Sequence, residues 1–224
     1  MQDVIIIGGG TFYRQLSRVL ASEFADTHRL VGVVDDTLPA GTELEGGTRC
    51  LGDWSALLSG IAPDAVSLVL GVGYRDLRAR RALVARATEG GYKFATLISP
   101  HAAVSADARV GEGAIVMAGA IVDVKASIGV CAFVDIGVKI CENVRVGCAA
   151  YISAGAAIGG GSCIGDANFI GLNAVVADGV TTGDFVRIQA GALLHRDAPS
   201  DAQVLEARNV RIIPKAGGEP EAAA

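Results

Sequence analysis

Residues 110–165 read VGEGAIVMAGAIVDVKASIGVCAFVDIGVKICENVRVGCAAYISAGAAIGGGSCIG. An aliphatic side chain falls on every sixth position of this stretch, and the series extends to both sides. It runs Ile98, Val104, Val110, Val116, Val122, Ile128, Val134, Ile140, Val146, Ile152, Ile158, Ile164, Ile170, Val176, Thr182, Ile188 and Leu194, with Thr182 the one break in chemistry. Helices repeat near 3.6 residues and strands at 2, so neither gives a period of six. A hexapeptide period marks a parallel β-helix. Three hexads close a triangular coil of 18 residues, each aliphatic side chain pointing to the axis and stacking about 4.8 Å above its equivalent. Two residues before each aliphatic position lies a second slot of small residues, from Ala102 to Ala192, which Asn168 alone fits poorly. Glycine follows the aliphatic residue in many hexads (Gly111, Gly129, Gly147, Gly159, Gly165, Gly171, Gly183). A tight corner favours a residue without Cβ there.

Composition agrees with such a core. Of 224 residues, 51% are hydrophobic and only 5% aromatic. A net charge of −5 and the lack of a Lys/Arg run argue against nucleic acid as a partner. Five cysteines without a CxxC pair suggest reduced thiols in a cytoplasmic protein. The chain starts in a strand pattern without a leader signature, and no stretch of 18 apolar residues suggests a membrane span.

The first hundred residues carry another pattern. DVIII (3–7) reads as a buried strand, followed by Gly8-Gly9-Gly10 and a helical stretch, TFYRQLSRVLASEF. A second strand, 30–34, ends in Asp35-Asp36. Strand, glycine turn, helix, strand and acidic end make the first βαβ unit of a Rossmann-like nucleotide-binding fold. The fingerprint is imperfect, because Tyr13 takes the third glycine position. Gly8 and Gly10 would approach a phosphate, and Asp35 and Asp36 stand where a ribose or base would be read. A third strand, 66–70, leads into Gly71-Val72-Gly73-Tyr74-Arg75, where Gly73 and Arg75 could meet a pyrophosphate. Arg78, Arg80 and Arg81 read equally well as a solvated helix face. FATLI (94–98) forms the last strand of this part. The expected division is a Rossmann-like domain over 1–96, a left-handed β-helix over 97–195, a cap over 196–213 and a mobile tail over 214–224.

The pairing of these parts through FATLISPHAAVS resembles sugar acyltransferases of the sialic-acid O-acetyltransferase and bacillosamine N-acetyltransferase type. IIIGGG, VGVVDD, LGDWSALL, VGEGAIVMAGAIV and GALLHRDAPSDAQVLEARNVRII carry the resemblance across residues 3–213. The resemblance implies an N-terminal domain holding a nucleotide-linked sugar, a homotrimeric solenoid, and acetyl-CoA in the groove between neighbouring solenoids. Small apolar residues on the flat faces also favour a cyclic trimer. The resemblance further implies a histidine base, but by hexad register that position is Glu142. A second site histidine, lining the acetyl-CoA pocket, falls on Tyr151, and an asparagine one coil earlier becomes Asp135. The chain has three histidines, His28, His101 and His195. The last two lie about five coils apart, roughly 25 Å along the axis, and neither reaches the coil of Glu142. Three zinc-binding histidines, as in carbonic anhydrases built on this solenoid, are likewise lacking, so no metal is expected.

A sugar hydroxyl needs a strong, well-placed base, whereas part of a sugar amine is already unprotonated near neutral pH. The expected activity is therefore acyl transfer from acetyl-CoA to the amine of a nucleotide-linked sugar. Glu142 or Asp135 would accept the proton. Backbone amides near Gly155 and Gly160 would steady the oxyanion and pantetheine arm, with Tyr151 and Ala190 completing the donor pocket. The competing expectation is a catalytically inactive member that binds nucleotide sugar or CoA, or serves as a structural partner.

Overall fold

The computed structural model describes residues 1–205. The expected tail, and the cap from 206 onward, lie outside the described residues.

The first part is a five-stranded parallel sheet. Its elements are β1 (Gln2–Ile7), α1 (Thr11–Glu23), β2 (His28–Val34), β3 (Cys50–Gly52), α2 (Trp54–Gly60), β4 (Ser67–Leu70), α3 (Leu77–Glu89) and β5 (Lys93–Phe94). Strand order is β3-β2-β1-β4-β5. β1 therefore pairs with β2 on one side and β4 on the other, and the chain reverses its direction of travel across the sheet there. Strands buried on both faces read as continuous aliphatic runs, and Val4 to Ile7 are all buried. α1 lays Tyr13, Leu16 and Leu20 on the sheet, an i, i+3, i+7 stripe. Tyr13 belongs to this core and gives its hydroxyl to Glu45 O at 2.7 Å, which explains the missing third glycine.

From Leu97 onward the chain winds as a left-handed β-helix of two-residue strands on three faces. Face one runs from Leu97–Ile98 through Phe133–Val134, Tyr151–Ile152 and Phe169–Ile170 to Gln203–Val204. Face two runs from Ala103–Val104 through Lys139–Ile140 to Leu193–Leu194, and face three from Arg109–Val110 to Cys163–Ile164. Partners are one coil apart, as in Phe133 with Tyr151 and Lys139 with Ala157. The aliphatic ladder and the small-residue slot together fill the interior.

Three expectations need correcting. The stretch 94–98 is not one strand: Phe94 ends β5 in the first sheet, while Leu97–Ile98 already belongs to face one. The coil does not stop at Leu194, since Gln203–Val204 pairs with Arg187–Ile188 and extends face one. Arg78, Arg80 and Arg81 do not share one solvated face, although Arg78 remains largely exposed. Arg78 pairs with Asp201 and Arg81 with Asp166, both on the solenoid, and Arg80 is buried.

The two parts share a packed seam. Face one turns Ile115, Phe133 and Tyr151 outward into one core with α1, whose Phe12 ring lies 4.9 Å from that of Phe133. Cys131 and Ala149, at a solenoid corner, join the core beneath α3.

Candidate active site

Two glycine turns leave the carboxyl ends of β1 and β4 side by side. Gly8 has φ +104 and donates to Val34 O at 2.8 Å. Gly71 donates to Ile7 O at 2.8 Å, and a Cβ on it would strike Ile6 and the carbonyls of Ile7 and Gly8. The turns pass so closely that only glycine fits. α1 begins on Gly10, which offers no side-chain cap, and its first turn holds no acidic residue. Uncapped N–H groups and the positive end of the helix dipole therefore face outward, an arrangement suited to an anion.

These turns line a cleft of about 520 Å³ with Gly8, Gly10, Thr11, Phe12, Gln15, Asp35, Gly71, Val72, Gly73, Tyr74, Arg75, Asp76 and Tyr151 on its walls. It lies where strand order reverses, the usual ligand position in open α/β sheets. Gly8, Gly10, Asp35, Gly73 and Arg75, separated by up to 67 positions in the chain, thus line one cleft. Asp35 also holds the turn together. Its carboxylate accepts from Gly9 N at 2.7 Å, Thr37 N at 2.8 Å and Thr37 Oγ1 at 2.6 Å. Burial alone would raise its pKa, but these hydrogen bonds from Thr37 and Gly9 bring it below the usual value. Arg75 is exposed on the wall and makes no ion pair among the described residues.

Asp36 departs from expectation. It accepts from Trp54 N at 2.9 Å, at the start of α2, and faces Arg86 at 3.5 Å, so it is a structural cap outside the cleft. Tyr151 is also placed differently. It sits at the base of the same cleft, in an aromatic cluster with Phe12 (5.6 Å between centroids), Tyr74 (5.2 Å) and Phe133 (4.8 Å). Its ring is a wall of the cleft that Gly8, Gly10 and Arg75 line, and neither Gly155 nor Gly160 lines that cleft.

The other candidates occupy two corners of the solenoid. Asp135 follows Val134 at the corner between faces one and two, half-buried, accepting from Ile136 N at 2.8 Å and Gln15 Nε2 at 3.5 Å. Burial raises its pKa against those hydrogen bonds. Gln15 also lines the cleft, so Asp135 borders it. Gly155 and Ala190 lie on this same corner. Glu142 stands at the next corner, between faces two and three. It is exposed, and its carboxylate lies over Gly160, where a Cβ would come within 2.6 Å of Oε1. Neither glycine amide is free: Gly155 N donates to Ile136 O at 2.9 Å and Gly160 N to Asp178 Oδ1 at 2.8 Å. They do not form the expected oxyanion hole.

Gln15, Phe12 and Tyr74 were not anticipated from the sequence. Nor was Arg80, although a signal existed. With Leu77, Val84 and Ala87 it completes the inward stripe of α3, where an arginine is out of place.

No family model matches the chain, and no curated protein matches it. Solved structures do. A perosamine N-acetyltransferase from Caulobacter crescentus, in a histidine-to-asparagine variant complexed with CoA and GDP-perosamine, superposes with a TM-score of 0.81 at 30% identity. The match covers 91% of this chain and 93% of that one. The chain belongs to the sugar acyltransferase family with hexapeptide repeats. A second member, the acetyltransferase domain of PglB from Neisseria gonorrhoeae FA1090, matches with a TM-score of 0.79 at 25% identity over 91% of this chain and 96% of that domain. The same domain has been solved with acetyl coenzyme A, with a TM-score of 0.78 at 27% identity, covering 90% and 95% of the two chains. Both family members span the α/β part and the solenoid together.

Proposed function

We propose that this chain is an acetyl-CoA-dependent N-acyltransferase acting on a nucleotide-linked amino sugar. The observation that carries the reading is the cleft at the strand-order reversal. Its uncapped helix start, two glycine turns and free Arg75 suit a diphosphate, and its far wall is the solenoid itself. The family members bound to CoA and GDP-perosamine support the same pairing of ligands.

In the proposed reaction the sugar amine attacks the thioester carbonyl and forms the C–N bond. The C–S bond then breaks, the ammonium proton passes to a carboxylate, and CoA leaves as the thiol after protonation. Asp135 is the carboxylate beside the cleft. Glu142 and Asp135 flank face two from opposite corners, so within one protomer they do not share a site. In a homotrimer packed through its flat faces, Glu142 of one protomer would approach Asp135 of the next. Acyl transfer from acetyl-CoA to GDP-, UDP- and dTDP-linked amino sugars, measured for wild type, Asp135→Asn and Glu142→Ala, tests this. Loss of at least about tenfold in either variant supports a proton-accepting role.

A second reading has an observation in its favour. Glu142 is exposed and lines none of the clefts described, so the chain could bind nucleotide sugar or CoA without turnover. Calorimetric uptake of either ligand with no thiol release from acetyl-CoA would establish it.

A further inference from the structure

Arg80 is 1% exposed, and it carries a charge into the seam between the two parts. Its guanidinium donates from Nε to Ala149 O at 3.2 Å, from Nη2 to Cys131 O at 3.1 Å, and from Nη1 to Val72 O. Its Cζ lies 5.5 Å from the centre of the Tyr151 ring. Ala149 and Cys131 are corner residues of successive solenoid coils, both in left-handed backbone (φ 55 and 53). Val72 belongs to the turn after β4. One side chain therefore ties that turn, two solenoid corners and an aromatic wall together.

No carboxylate faces this guanidinium among the described residues. Every oxygen it meets is a neutral carbonyl, and burial lowers its pKa to about 10. A buried cation without a counter-ion is costly, and a purely structural clasp could be made by neutral donors. The position of the charge is informative, because Val72 and Tyr151, two of its contacts, are also walls of the cleft.

We propose that Arg80 is a positioning residue whose buried charge raises the affinity of the cleft for a diphosphate. The assignment rests on the nucleotide reading above. It acts in two ways. It fixes the Val72–Gly73 turn against Tyr151, and it supplies a positive potential from inside the wall, where water screens little. The anion of the ligand is then the counter-ion that the protein itself lacks. Arg75, exposed on the rim, is a separate cation that solvent screens.

The test compares GDP with guanosine, and UDP with uridine, by calorimetry on wild type, Arg80→Gln and Arg80→Lys. Gln keeps a hydrogen-bond donor and removes the charge; Lys keeps the charge and loses the fork. The expected result is that Arg80→Gln lowers the diphosphate-over-nucleoside affinity ratio at least about tenfold, while Arg80→Lys stays within about threefold of wild type. A merely structural arginine would weaken nucleoside and diphosphate together and leave the ratio unchanged. An unchanged ratio in Arg80→Gln, or a ratio in Arg80→Lys that falls as far as tenfold, overturns the assignment. Should Arg80→Gln fail to fold, Arg80→Met replaces it as the neutral variant and is read by the same ratio, and a tenfold fall in Arg80→Lys still overturns the assignment. Wild type that takes up none of the diphosphates would instead sink the nucleotide reading, so the two failures are distinct.

Discussion

Asn168 and Thr182, the two residues that break the hexad chemistry, meet each other inside the solenoid. Both are buried, and Asn168 Nδ2 donates to Thr182 Oγ1 at 2.5 Å. Asn168 Oδ1 accepts from Val186 N at 2.7 Å, and Thr182 Oγ1 also accepts from Gly165 N at 3.0 Å. Each irregularity thus satisfies the other, as buried polar groups require. Thr182→Val restores the apolar pattern yet leaves the Asn168 amide unpaired, so it should destabilise by about 1–3 kcal/mol. Thermal unfolding would show a drop of several degrees. A gain in stability would mean that the pair contributes nothing. Asp135 supports a second expectation. Burial holds its pKa above the ordinary carboxylate value. As a proton acceptor it must be ionised, so kcat/KM should fall as pH drops through that raised pKa. The acid limb should therefore lie above the usual carboxylate range and disappear in Asp135→Asn. The same shift means the folded state binds this proton more readily than the unfolded chain. Its contribution to stability is thus greatest at low pH and is lost as pH rises through the raised pKa.

Within the solenoid coil, glycine serves two different purposes that the sequence does not separate. Gly113, Gly137 and Gly155 occupy left-handed backbone, φ +66 to +71, but Lys125, Asn143 and Ala149 hold the same conformation without being glycine. The residues that directly follow the aliphatic ladder are constrained by distance instead. A Cβ on Gly147 would lie 2.5 Å from the carbonyl carbon of Gly165 and 2.6 Å from Asp166 N, one coil on. Backbone one coil away cannot yield as a side chain end can. Gly147→Ala should therefore destabilise by at least about 3 kcal/mol, at the upper end of overpacking penalties. Denaturant titration would measure it, and a loss under about 1 kcal/mol would show that the coils can part at this corner. Helix α3 teaches a related lesson. Its arginines at 78, 80 and 81 look alike in sequence, yet Arg80 alone falls in the stripe of Leu77, Val84 and Ala87.

For the whole molecule, the outward side of face two stays open in the single chain. Ile121, Val175 and Leu193 are 46%, 42% and 58% exposed there, on an axial row that carries Lys139 and Ala157 between the first two. A row of this kind is what a threefold assembly would cover. Sedimentation of the wild type should give three times the 22.8 kDa chain mass. Ile121→Lys together with Val175→Lys should shift it toward the monomer. A wild type that sediments as a monomer at micromolar concentration would remove the assembly that the proposed role of Glu142 requires.

The period of six residues and the strand, glycine turn and helix sequence were enough to determine both architectures and part of the cleft. Their information is local: each hexad must place one side chain on the axis, and the turn after β1 must deliver the chain to an uncapped start of α1. The tertiary structure decided what depends on two distant segments meeting. It moved Asp36 to the start of α2, turned Tyr151 into the wall of the cleft, and occupied the amides of Gly155 and Gly160 within the coil ladder. It also buried Arg80 at a seam that exists only because face one packs on the α/β part. Periodicity says which way a side chain points from its own coil; which surface then covers that side chain is set by packing across the seam.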